Sequence, residues 1–109
     1  GLEYSDNDPD FYRELLRLFT EEAPKSLERL STALADNDLE LYTTLVHGLK
    51  NNARGIGADS AGELCFEAEQ TARAGNAAPL PELHLKIEQA ITEAAAEAAR
   101  LSETERITQ

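Results

Sequence analysis

The chain has 109 residues, long enough for one hydrophobic core and too short for two domains. Ten basic residues against twenty-one acidic ones leave a net charge of −11, which argues against nucleic acid or an anionic membrane surface as partners. The longest apolar run falls short of the about 20 residues a spanning helix needs, and no signal peptide is visible. A single cysteine, Cys65, excludes an internal disulfide and fits a reducing cytoplasm. Methionine is absent, which suits a domain cut from a longer protein.

After a lead-in over residues 1–7, "DPDFYRELLRLFTEE" opens with Asp8 as an N-cap and Pro9 in the first helical turn. Phe11, Leu15, Leu18 and Phe19 recur at helical spacing. Pro24 is expected to kink or restart the helix, and Leu27, Leu30 and Leu34 then form a second stripe. "ADND" ends that helix and caps the next, which should run over 39–54 with Leu41, Leu45 and Leu49 facing the core. In "GIGAD", Gly55 and Gly57 supply the left-handed conformation in which helices often stop, and Asp59 or Ser60 caps the following helix. Ala61, Leu64, Cys65, Ala68 and Ala72 make its inner stripe, with Cys65 packed as a small apolar residue. After the loop "AGNAAPLP" a long helix carries Leu83, Ile87, Ala90, Ile91, Ala94, Ala98 and Leu101 at steps of three and four. His84 reads as an ordinary surface residue of this helix, and residues 104–109 as a fraying tail. The pattern predicts one all-α domain over 1–109, an antiparallel up-and-down four-helix bundle with an additional N-terminal helix.

The stretch "LVHGLKNNARGIGAD" holds the feature that points to chemistry. At about 100° per residue, His47 lies about 200° from Leu45 and so faces away from the expected core stripe. Thr43, Lys50, Asn51 and Arg54 stand at helical spacings from it and form one row facing solvent or a partner. An exposed histidine beside a lysine is commonly a plain surface pair. The functional alternative is a neutral imidazole that attacks an anionic group while neighbouring cations balance the charge, the parts that phosphoryl transfer requires.

"HGLKNNARGIGA" resembles the signature of histidine-containing phosphotransfer (HPt) domains, usually HxLKG followed by a polar stretch and GA or GL. "GLEYSDNDPDFYRELLRLF" and "ELCFEAEQTARAGN" are similar to the family's opening segment and to the helix after its active-site helix, so the resemblance covers residues 1–103. It implies that His47 accepts the phosphoryl group, that Lys50 stabilises the phosphoryl oxygens, and that Glu69 orients the imidazole by holding its other nitrogen as N–H. Gly57 and Ala58 match the positions that close the active-site helix. One departure stands out: four residues after the histidine, where the family commonly has glycine, this chain has Asn51.

The resemblance also implies the partners. These are response-regulator receiver domains, which would supply the Mg²⁺, while this chain needs no cofactor or metal of its own. His47 and His84 lack metal-ligand spacing. The implied setting is a monomeric cytoplasmic module tethered to a hybrid sensor histidine kinase, itself in the membrane or not, with no direct membrane contact by this chain. Such a module is a phosphoryl carrier rather than an enzyme, since nothing here resembles an ATP-binding or autokinase element. Thr43, Asn51 and Arg54 would contact the receiver; Phe66 either packs at a helix boundary or joins them as an apolar docking residue, with Gly62 leaving the partner room. Two other readings compete. A phosphate-independent helical adaptor would bind receivers or other helical partners without chemistry. A histidine-kinase dimerisation domain usually reads H-E-x-x-x-P, whereas Gly48 follows the histidine here and no proline is near.

Overall fold

The computed structural model describes residues 9–108, with side chains through residue 103. The expected lead-in over 1–7 and the Asp8 cap lie outside the described residues. Four α-helices make up the described chain: α1 (Pro9–Ala35), α2 (Leu39–Gly55), α3 (Asp59–Arg73) and α4 (Leu80–Thr108). No strand occurs among the described residues. The ring of helices closes because α1 packs on α2 and α4, and α3 packs on the same two. Among the described residues, no helix is long and apolar enough to cross a membrane.

Pro24 does not divide α1, so the expected additional N-terminal helix is the first half of one continuous rod. The reason lies in the phase of the buried residues. Leu16, Phe19, Ala23, Leu30 and Ala33 form a single helical stripe that passes the proline without a break, while Pro24 turns its ring to solvent. Tertiary packing on both sides outweighs the lost hydrogen bond. The same stripe displaces Phe11 and Leu18, expected inside, to exposed positions.

In α2 the buried face is likewise rotated from its expected direction. Tyr42, Val46, Leu49 and Ala53 are buried, whereas Leu41 is 45% exposed and Leu45 only half-buried. The buried stripe is thus turned by roughly 70° from the leucine stripe. Burying Tyr42 lets its ring fill the core while its hydroxyl meets a polar partner there. That partner is His84, which is buried rather than on the surface: Tyr42 Oη lies 3.1 Å from Nδ1 and Ser31 Oγ 2.9 Å from Nε2. Burial pushes the Tyr42 phenol well above its ordinary pKa, so it remains a donor.

The first three helices stop in the same way. Asn37, Gly57 and Gly75 adopt positive φ, and each following amide reaches back to a carbonyl five residues earlier: Asp38 to Ala33 (2.9 Å), Ala58 to Ala53 (2.8 Å), Asn76 to Thr71 (3.1 Å). Gly55, expected to share this role, stays inside α2. Asp38 caps α2 by accepting from the Leu41 amide at 3.1 Å. Neither Asp59 nor Ser60 caps α3; Ala58 holds that place with no side-chain bond. The last helix continues to Thr108, into the segment expected to fray. Its buried residues include Leu80, Leu83, Ile87 and Ile91. The inner face of α3 is small, with Ala61, Cys65, Ala68 and Ala72 buried, so α3 lies close against α2. Burial raises the Cys65 thiol to about 12, which keeps it protonated and unreactive.

Candidate functional site

With Tyr42, Val46, Leu49 and Ala53 as the true core stripe, His47 lies about 130° from its centre rather than opposite it. This flank position gives the ring two different edges. Its side chain is 51% exposed, yet Nδ1 turns inward to Glu69 Oε2 at 2.6 Å. Glu69 comes from α3, where it is 2% exposed. The small residues around it let the carboxylate reach beneath the imidazole.

Three donors meet that carboxylate. His47 Nδ1 and Arg73 Nη2 (3.0 Å) share Oε2, and Lys50 Nζ binds Oε1 at 2.7 Å. Burial pushes the Glu69 carboxyl up, but the hydrogen bonds and charges of Lys50 and His47 pull it down to about 2. Glu69 is therefore ionised and can only accept. In the neutral ring this places the proton on Nδ1 and leaves a lone pair on Nε2, on the open side.

Lys50, expected in the solvent row, is buried instead. It sits at the edge of the core stripe, and its stem packs inward while its amine ends on Glu69. Nζ lies 3.4 Å from Nδ1, on the inner side of the ring. With Nδ1 protonated both groups are donors, so they meet through Glu69 rather than by bonding to each other. Arg73 was not anticipated, although its place four residues after Glu69 on one helix face is a signal that the pairing rules contain.

The rest of the expected row is split. Asn51 Nδ2 stands 3.3 Å from Nε2, on the exposed side of the ring. Thr43 is half-buried and its hydroxyl donates to the Leu39 carbonyl at 2.7 Å. Arg54 reaches across to α3, where Nη2 lies 3.5 Å from Glu63 Oε2. Phe66 is 39% exposed, and both Lys50 Nζ (5.4 Å) and Arg54 Cζ (5.8 Å) approach its ring centroid. Gly62 is buried under the Arg54 stem, and a Cβ there would meet Arg54 Cγ at 2.9 Å. The room at Gly62 is thus taken by Arg54 rather than left for a partner. Beside Asn51, an open groove of about 360 Å³ runs between α1 and α2, lined by Leu15, Leu18, Phe19 and Ile56 among others.

The arrangement is one a phosphoryl carrier can use: an imidazole whose Nδ1 is held by a buried carboxylate, with its other ring nitrogen on the exposed side. A family profile for the Hpt domain matches residues 14–97. Among solved structures, the chain is similar to histidine-containing phosphotransfer protein B (HptB) from Pseudomonas aeruginosa PAO1. That pair has a TM-score of 0.85 and 22% identity over 94% of this chain and 90% of the other. It is also similar to the HPT domain from the Hpt sensor hybrid histidine kinase from Shewanella, with a TM-score of 0.79 and 19% identity over 94% and 89% of the two chains. At such identities these two structures establish likeness of fold. No curated protein matches the chain. Because the profile spans most of the sequence, the protein belongs to the Hpt domain family, the histidine phosphotransfer modules of two-component signalling.

Proposed function

We propose that His47 accepts a phosphoryl group on Nε2 from the aspartyl phosphate of one receiver domain and passes it to the aspartate of another. The observation that carries this reading is the division of the ring, with Nδ1 held by Glu69 at 2.6 Å and Nε2 facing outward. The Nε2 lone pair forms the N–P bond as the P–O bond of the acyl phosphate breaks, and that electron pair returns to the aspartate as carboxylate. Nδ1 keeps its proton, so the phosphorylated ring is cationic, and the Glu69 carboxylate stabilises that charge. Passing the group on is the same step in reverse.

In this reading Lys50 acts through Glu69, holding it ionised and in place, and the receiver brings the Mg²⁺ that neutralises the moving phosphoryl group. Docking would use the exposed surface around Nε2, with Phe66 on α3 and the Leu15–Leu18–Ile56 groove offering apolar contact and Arg54 and Thr43 at the rim. A monomer in the cytoplasm, tethered to a hybrid sensor histidine kinase, fits the same role. The test is transfer from a phosphorylated receiver. The wild-type chain should gain an acid-labile, base-stable label, and His47→Gln should fold, still bind the receiver and gain none. Undiminished labelling of that variant would overturn the assignment, and receiver binding with no transfer to the wild type would favour the adaptor reading.

A further inference from the structure

Asn51 stands against the nitrogen proposed as nucleophile, its Nδ2 at 3.3 Å from His47 Nε2. It lies one helical turn after His47 on the same face and is itself exposed. In the neutral ring, with the proton on Nδ1 toward Glu69, Nε2 can only accept, and the amide presents its NH2 group rather than its oxygen. The nearby cations point elsewhere. Lys50 binds Glu69 behind the ring, and Arg54 lies against Glu63 and Phe66.

We propose that Asn51 sets how long the phosphoryl group stays on His47, an inference that rests on His47 Nε2 being the acceptor. In the resting state its N–H donates to the electron pair that must attack phosphorus, so loading requires this bond to break. Once the N–P bond forms, that pair is no longer available. The same N–H then finds its acceptor one bond further out, on a phosphoryl oxygen. The amide also covers one approach by which water attacks phosphorus. In hydrolysis the water oxygen bonds to phosphorus, the N–P pair returns to Nε2, one water proton stays with the phosphate and the other passes to solvent, and inorganic phosphate leaves. A neutral donor at this position therefore slows loading and lengthens retention together, favouring storage over rapid relay.

Phosphoramidate separates this effect from docking, because it is a small donor that needs no receiver. The Nε2–P bond forms as the donor's own P–N bond breaks and ammonia departs with that pair. Loading rate and phosphohistidine half-life would be followed by ³¹P NMR on the full chain, on Asn51→Ala, and on Asn51→Leu, which keeps the bulk and removes the donor. Position 51 is exposed on a helix, so both variants should fold. Asn51→Ala should load roughly three- to ten-fold faster, and both variants should lose their label roughly three- to ten-fold sooner, the range for one hydrogen bond. Half-lives unchanged in both variants, or a wild-type half-life in Asn51→Leu, would overturn the proposal. Absence of label on the wild type, or equal label on His47→Gln, would instead defeat the underlying acceptor assignment.

Discussion

Glu69 is a carboxylate almost out of reach of water, and it stays ionised because His47, Lys50 and Arg73 surround it with donors. Its folded pKa of about 2 lies below the ordinary 4.5, so its ionised form stabilises the fold. That contribution is complete above pH 4.5 and is lost as the pH falls through the window down to about 2. Thermal unfolding followed from pH 7 to pH 2 should show the midpoint dropping across this window. Glu69→Gln should flatten that part of the profile. The same substitution should slow phosphoryl acceptance on the order of 10–100-fold, since the tautomer is no longer imposed; ring ¹⁵N shifts would report the loss directly. Removing the amine in Lys50→Ala leaves the carboxylate buried without its main cation, and should cost about 3 kcal/mol in a denaturant titration. His47 and Lys50 were both conspicuous in the sequence, but only one of them was placed on the correct side of the helix surface. A lysine at the flank of a stripe has no reason to turn inward until a buried carboxylate from another helix is there to meet it.

At the scale of elements, α1 shows a proline tolerated in a helix interior because buried residues on both sides stay in one phase. Pro24→Ala restores a backbone donor and should stabilise the protein by about 1–3 kcal/mol, read as a higher denaturation midpoint. The shared helix endings allow a second test. Asn37 holds φ at 55°, a conformation that Gly57 and Gly75 adopt at the equivalent places without a Cβ. Asn37→Gly should therefore be neutral or stabilising by up to about 1 kcal/mol. The glycine stops and the Asp38 cap were legible because they depend on neighbours within a few residues. The rotation of α2 was not. Leu41, Leu45 and Leu49 satisfy the same spacing rule as Tyr42, Val46 and Leu49, and local periodicity does not choose between two overlapping stripes.

Across the whole molecule, a second polar network runs from the buried core of the bundle to its surface at Glu88. Tyr42 donates to His84 Nδ1, His84 Nε2 faces Ser31 Oγ, and Ser31 donates to Glu88 Oε2 at 3.4 Å. It joins α1, α2 and α4 through side chains that are each satisfied, and so ties three helices to one relative placement. Tyr42→Phe keeps the ring and leaves His84 without its donor, which should cost about 1–3 kcal/mol in equilibrium unfolding while leaving phosphotransfer at His47 intact. The burial of His84 was readable in part, because it stands four residues after Leu80 and three before Ile87, both buried. What hid it was its polar side chain, which gains an interior place only when a tyrosine and a serine from two other helices arrive to bond it.

The sequence by itself determined that this chain is all-helical, where most helices begin and end, and that His47 with its neighbours is the candidate site. Those properties follow from periodicity, caps and a local motif, all carried by residues within a few turns of one another. Only the tertiary structure decided which face of α2 is buried, that α1 is one rod, that Lys50 serves Glu69, and that Nε2 rather than Nδ1 faces outward. Each of these depends on what another helix presents across the contact, and burial makes a charge or a hydroxyl choose the one partner within reach.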